Sequence, residues 1–229
     1  ENDVDNVASI LRWSGLLPKD MDFQPLFDEA KRQLSQEADY RQEAAFMRRY
    51  KFLLADRPEY TLADVHDDLS NENILAMTYM GGVPIESLTH APQAERDEVM
   101  RLLMELLFRE IFEFHLVQTD PNFANYRYDR QHKQVILLDF GATRDYSVAI
   151  AQGYRQLMQG ALQYNRELMD QGAAQIGFFQ EKIRPEQRQA VLDLFAQACE
   201  PLRFKGAYDF GNTSLASRIR DMGMALSME

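Results

Sequence analysis

Gln118-Thr119-Asp120-Pro121-Asn122-Phe123-Ala124-Asn125, followed downstream by Asp139-Phe140-Gly141, is the stretch whose reading decides the fold. Asp120 and Asn125 stand five positions apart, and Asp139 closes the apolar run Val135-Ile136-Leu137-Leu138. Between them come Tyr126-Arg127-Tyr128 and the polar segment Asp129 to Lys133, an alternation that predicts two short strands joined by a tight turn. Upstream, about Ala94 to Leu116 reads as a helix. Arg101, Glu105, Arg109 and Glu113 recur every four positions and draw one polar stripe on an otherwise apolar cylinder, so most of that helix is expected to be buried.

A loop carrying Asp and Asn, set between a buried helix and a hairpin that ends in Asp-Phe-Gly, is a kinase-type arrangement. Phosphoryl transfer concentrates negative charge on phosphate oxygens, and Mg²⁺ held by hard oxygen ligands offsets that charge. Asn125 and Asp139 are the candidate metal ligands. Asp120 is the candidate base that accepts or orients the proton of an attacking hydroxyl. Singly, each of these residues is an ordinary turn former. The spacing, the hairpin and the helix together carry the reading.

Composition narrows the alternatives. The 229 residues, 45% of them apolar, suffice for one substantial core or two packed lobes. The longest greasy stretch, Val99 to Val117, is interrupted by Arg101, Glu105, Arg109, Glu110 and Glu113, so no transmembrane helix is expected. A net charge of −11 disfavours nucleic acid as a partner. Cys199 is the only cysteine, and His66, His90, His115 and His132 are scattered without zinc-ligand spacing, which fits a reducing compartment and argues against a histidine-held metal. His115, at the end of the buried helix, reads as a helix C-terminal residue favoured by the dipole.

The flanking segments are read more coarsely. Leu26, Ala30, Leu34 and Ala38 predict a long helix from Asp22 to about Leu54. Two short strands are expected at Tyr60–Val65 and Ile74–Met80, and several helices from Tyr146 onward, broken near Gly172, Gly177, Pro185 and Pro201–Gly211. On the first helix, Asp39 and Glu43 share a face. Such a like-charge pair costs about 0.2–0.5 kcal/mol unless a cation lies between them, so a positive partner is expected. Glu37 and Arg41 form the opposite case, a favourable pair that a solvated helix face also selects.

Three motifs now resemble one known family, the UbiB/ADCK (AarF-type) atypical kinases: Glu37-Ala38-Asp39-Tyr40-Arg41-Gln42-Glu43-Ala44-Ala45, the Gln118–Asn125 loop, and Leu137-Leu138-Asp139-Phe140-Gly141-Ala142-Thr143-Arg144. In that family a Gln-Thr-Asp-Pro loop stands where protein kinases have His-Arg-Asp, and a Glu-x-Asp pair sits on the small-lobe helix. The resemblance implies an α+β, protein-kinase-like fold: a partial small lobe over residues 1–80 and a mostly helical large lobe over 81–229. It implies ATP and Mg²⁺ as cofactors, with Glu43 as the helix carboxylate that pairs with a nucleotide-binding lysine and with Glu37 and Asp39 positioning the nucleotide or gating its pocket. It also implies a role in ubiquinone biosynthesis. Ubiquinone-biosynthesis proteins and quinone-precursor lipids are the implied partners; the methionines Met100, Met104, Met158 and Met169 offer either core filling or a groove for such a lipid. The implied location is cytoplasmic or mitochondrial-matrix, with peripheral contact at the inner membrane.

The sequence departs from the family in two places. The Lys-x-Gly-Gln motif, alanine-rich loop and strand lysine that precede the helix in relatives do not appear, and none of Lys19, Lys31, Lys51, Lys133, Lys182 and Lys205 lies in an apolar strand ahead of Glu43. Thr78 stands where relatives often carry an acid. The chain is therefore expected to be a piece of a longer protein, and alone to bind nucleotide weakly and be inactive. Two rivals share parts of the pattern: a small-molecule phosphotransferase of the aminoglycoside or choline kinase type, and a nucleotide-switched scaffold that transfers no phosphoryl group.

Overall fold

The computed structural model describes residues 39–120, 122–179 and 183–228. They form two compact units: the described residues up to Phe108 together with Leu116–Arg144, and Arg109–His115 together with Asp145 onward. The junction between Met80 and Gly81 falls inside the first unit.

The first unit opens with helix α1, Tyr40–Leu53. Asp39 caps it, its carboxylate accepting the Arg41 N–H at 3.0 Å, while Ala44, Phe46, Met47 and Tyr50 form its buried face. The part of the expected long helix before Asp39, Glu37 included, lies outside the described residues. Strand β1 (Tyr60–Leu62) pairs in parallel with β5 (Gln134–Leu137), and β5 pairs antiparallel with β4 (Tyr126–Asp129), which in turn pairs with β2 (Val83–Pro84). The expected hairpin is thus β4–β5, with Tyr126 opposite Leu137 and Asp129 opposite Gln134. Asp129 forms its turn by accepting the N–H groups of Gln131 and His132 at 2.8 and 3.1 Å, and Lys133 completes it in the left-handed region at φ 57°. Two Tyr hydroxyls tie the core together: Tyr60 donates to the Leu102 carbonyl at 2.8 Å and Tyr50 to that of Leu116 at 3.0 Å.

The expected strand Ile74–Met80 is not a strand. Ala76 and Thr78 exchange backbone hydrogen bonds with His66 and Asp64, but a 3₁₀ turn at Asp67–Leu69 interrupts the ladder, and the Ser70 hydroxyl accepts the Ala76 N–H that a partner strand would have taken. The result is an irregular hairpin holding only the isolated bridges Val65–Met77 and Asn71–Ile74.

Helix α2 runs Gln93–Arg109, with Val99, Leu102 and Leu106 buried, and a π-helical turn, Glu110–Phe114, follows it. This turn ends at His115 in the left-handed conformation, φ 51°, so that Leu116 opens β3 (Leu116–Gln118) instead of closing the helix as the periodicity suggested. The anticipated polar stripe exists as ion pairs: Arg101 with Glu98 and Glu105 at 2.7 and 2.8 Å, and Arg109 with Glu113 at 2.7 Å. Strand β3 pairs with β6, Thr143–Asp145.

The second unit is helical: α3 (Val148–Gln163), α4 (Arg166–Ile176), α5 (Pro185–Ala198), α6 (Glu200–Arg203) and α7 (Leu215–Met228). Leu157, Ala161, Met169, Ala173 and Leu192 form its core, so Met169 fills space there. Gly177, at φ 91°, ends α4 as expected, whereas Gly172 interrupts nothing. It lies inside α4, where a β-carbon would come within 2.5 Å of the Leu157 backbone nitrogen. A residue expected to break a helix instead lets two helices touch.

Candidate active site

Glu43 is placed by α1. One oxygen of its carboxylate accepts the backbone N–H of Phe140 at 3.2 Å, joining the helix directly to Asp139-Phe140-Gly141. Burial and the nearby Asp139 charge push the Glu43 pKa up, and the Phe140 hydrogen bond opposes them, burial being the largest influence. Phe140 is fully buried, its ring 4.9 Å from that of Tyr50, also fully buried on α1. The aromatic pair and the carboxylate therefore fix the Asp139 segment to the same helix. Asp39, four residues earlier, is committed to the helix cap. Both acids lie at the α1 N-terminus, where the helix dipole favours negative charge, and this makes their proximity tolerable.

Asn125 ends the 3₁₀ turn Phe123–Asn125, and Leu138 N–H donates to its carbonyl at 3.0 Å, locking that turn to the end of the hairpin. Its side-chain amide donates to the Asp120 carbonyl and to Asp120 Oδ2 at 3.2 and 3.1 Å. Asp139 Oδ1 accepts the Gly141 N–H at 2.9 Å. A cavity of about 560 Å³ is lined by Glu43, Asn125 and Asp139 with Tyr40, Asn73, Ile74, Leu75, Met77, Ala124 and Leu138. Three of the six residues singled out from sequence thus share one cavity. Asp120 adjoins it through its hydrogen bond to Asn125, Asp39 is exposed at the start of α1, and Glu37 is outside the described residues.

The remaining wall comes from residues the sequence did not nominate. The Tyr40 N–H donates to the Glu72 carbonyl at 3.2 Å and Arg41 pairs with Glu72 at 2.5 Å, so the Asn71–Ile74 turn is tethered to the start of α1 and brings Asn73 and Ile74 to the cavity. Only the turn-rich Ser70-Asn71-Glu72-Asn73 sequence signalled a feature there.

None of the described lining residues is basic, and the cavity carries the carboxylates of Glu43 and Asp139. The donor set suits a hard divalent cation: Asp139 keeps Oδ2 after bonding Gly141, and Asn125 keeps its amide oxygen after donating to Asp120. Among the described residues no group of three or more His, Cys, Asp or Glu is arranged to hold a metal. A carboxylate, an amide and phosphate oxygens with water are the shell that Mg²⁺ takes in phosphoryl-transfer sites, as opposed to an all-protein cage.

Comparison with known proteins identifies the family. Residues 1–173 match the ABC1 atypical kinase-like domain. The chain belongs to that family. It is 32% identical over 97% of its length to the mitochondrial atypical kinase COQ8B of Rattus norvegicus, covering 42% of that protein. It is 30% identical over 99% of its length to COQ8 of Saccharomyces cerevisiae, covering 46%, and 29% identical over 96% to COQ8 of Schizosaccharomyces pombe, covering 36%. The chain therefore spans less than half the length of these relatives. Among solved structures, a Mycobacterium tuberculosis protein, Rv3197, determined as a complex with erythromycin, superposes with a TM-score of 0.67 over 98% of this ABC1-family chain and 62% of its own, at 20% identity. That likeness concerns the fold, which is the expected kinase-like α+β architecture. No helix among the described residues is long and apolar enough to cross a membrane.

Proposed function

We propose that this chain carries the catalytic-loop portion of an ATP-dependent atypical kinase or ATPase that supports ubiquinone biosynthesis, with a magnesium nucleotide bound in the Glu43–Asn125–Asp139 cavity. The observation that carries the reading is the Glu43–Phe140 hydrogen bond, because it sets a helix carboxylate beside the Asp-Phe-Gly acid and the loop asparagine in one cavity. Asp139 and Asn125 would hold the metal, which when bound supplies charge neutralisation at the phosphates. Asp120, held by Asn125 through its own Oδ2, would receive or orient the acceptor's hydroxyl proton. Glu43 fixes the Asp139 segment and offers its second oxygen to a cation. Asp39, at the entrance of α1, would position the nucleotide or gate the pocket, the role also proposed for Glu37. The COQ8 relatives are named as mitochondrial, which supports the matrix as the location; peripheral contact at the inner membrane, and quinone-precursor lipids and biosynthetic proteins as partners, are part of the same proposal.

With no basic residue in the described lining, this chain binds nucleotide weakly, with a dissociation constant of about 1 mM or above. Calorimetric titration with ADP, with and without Mg²⁺, tests the reading. Binding is expected to require the metal and to weaken by about 10–100-fold in Asp139→Asn, while the thermal midpoint of the apo chain stays within the range of an exposed substitution, about 0.5 kcal/mol. Metal-independent binding, or wild-type affinity in Asp139→Asn, would overturn it.

A further inference from the structure

We propose that Arg127 is a positioning residue: its guanidinium clamps the Gly81 and Gly82 carbonyls and so fixes the apolar wall of the cavity against the strand that follows Asn125. The clamp itself stands on geometry; its functional meaning rests on the cavity's being the magnesium-nucleotide site. The wall consists of Ile74, Leu75 and Met77. At its turn, Glu72 ties it to the start of α1, and at its exit the Thr78 N–H donates to the Asp64 carbonyl at 2.8 Å. From Tyr79 to Gly82 the chain is in neither helix nor strand, and Val83 then opens β2. Tyr79 is 88% exposed, so little packing holds this stretch. Arg127 grips it instead: Nε donates to the Gly81 carbonyl at 2.8 Å and Nη2 to the Gly82 carbonyl at 2.7 Å.

Neighbouring carbonyls of an extended chain point to opposite sides, so one group reaches both only where the backbone bends. Gly82, in the left-handed region at φ 75°, supplies the bend. A β-carbon there would come within 2.9 Å of the Tyr128 carbonyl, so the stretch lies directly on β4 and no side chain fits. Arg127 belongs to β4, which starts immediately after Asn125. The clamp therefore sets the apolar wall at a fixed place relative to a candidate metal ligand. A guanidinium presents its N–H groups in a rigid fork that fits two carbonyls, whereas the lysine ammonium is a single point on a flexible stem. With the phosphates taken through the metal at Asn125 and Asp139, the apolar wall is left for the nucleoside. Arg127 lines no part of the cavity and acts through that wall.

The test uses the 229-residue chain with Arg127→Leu and Arg127→Lys. It reads chymotrypsin cleavage after Tyr79, mapped by mass spectrometry, and Mn²⁺ binding by water-proton relaxation with ADP and with pyrophosphate. In Arg127→Leu, cleavage after Tyr79 is expected to accelerate about 3- to 10-fold, the equivalent of one net hydrogen bond. Cleavage after Phe52, exposed on α1, should stay at the wild-type rate. Mn²⁺ affinity should fall about 3- to 10-fold with ADP and stay unchanged with pyrophosphate, which has no nucleoside to meet the wall. Arg127→Lys should fall short of wild type in both readings. Wild-type cleavage after Tyr79 in Arg127→Leu, an acceleration shared by Phe52, equal losses with ADP and pyrophosphate, or a lysine variant that matches wild type overturns the proposal. If Arg127→Leu does not fold, the lysine variant decides by the same readings. A wild-type chain in which ADP promotes no Mn²⁺ binding removes the nucleotide reading, and the cleavage rates still decide the clamp.

Discussion

In the first unit, loops without regular structure are fixed by side chains: Gln118, Thr119, Asn125 and Glu43 each bond the backbone of the segment around Asp120 or Asp139. In the second unit, regular helices are fixed by the absence of side chains: a β-carbon on Gly153, Gly160 or Gly172 would come within 3.0 Å of neighbouring atoms. The difference follows from what each must present. A site needs polar groups at defined points on irregular backbone, and every such group must be satisfied or solvated. A helical support needs only close backbone approach, which glycine permits at a cost of about 1 kcal/mol in helix propensity.

Three substitutions would break or sharpen that contrast. The largest effect is expected from Phe140→Ala, which empties a fully buried position against Tyr50. It should cost about 3–5 kcal/mol in urea unfolding, and a loss below about 1 kcal/mol would mean that the polar contacts alone hold the Asp139 segment. Next is Gly172→Ala. Propensity favours alanine by about 1 kcal/mol, but its methyl would meet the Leu157 nitrogen at 2.5 Å and the Gly153 carbonyl at 2.6 Å, both backbone atoms. The clash should dominate, with a net loss of about 1–3 kcal/mol; a stabilised variant would show that the helices separate without penalty.

The smallest effect is electrostatic. Arg188 grips Asp170 with two hydrogen bonds, at 2.5 and 2.7 Å, and holds its carboxyl below the usual aspartate range. A depressed folded-state pKa contributes stability above the ordinary aspartate value and loses it as the pH falls through the lowered one. Arg188→Leu should therefore destabilise only slightly near neutrality, less than either substitution above, the pair being substantially exposed. The gap to wild type should close as the pH falls below the lowered Asp170 value. A gap that persists in acid assigns the loss to the Arg188–Phe179 stacking contact, at 4.3 Å, in place of the ion pair.

What was legible in the sequence was local. The β4–β5 hairpin, the Asp129 turn, the four-residue polar stripe of α2 and the helix containing Glu43 are each written in periodicity or turn chemistry over a dozen residues or so, and the Asp120–Asn125–Asp139 spacing is a short motif. Where prediction failed, a specific contact outweighed the pattern of residue types. Ile74–Met80 has the apolar texture of a strand, yet Ser70 takes the Ala76 amide and the cavity is lined by Ile74, Leu75 and Met77. Gly172 has the texture of a helix end, yet the approach of α3 makes it a packing site.

By itself the amino-acid order determined the family, the fold class and which carboxylates and amide were candidates for chemistry, because these depend on short spacings that survive any arrangement of the rest. Only the folded chain decided that Glu43 spends an oxygen on the Phe140 amide, that Asp39 is a cap, and that Gln118 bridges two loops. Those assignments depend on which unsatisfied polar groups meet when distant segments are buried together, and no local pattern encodes that meeting.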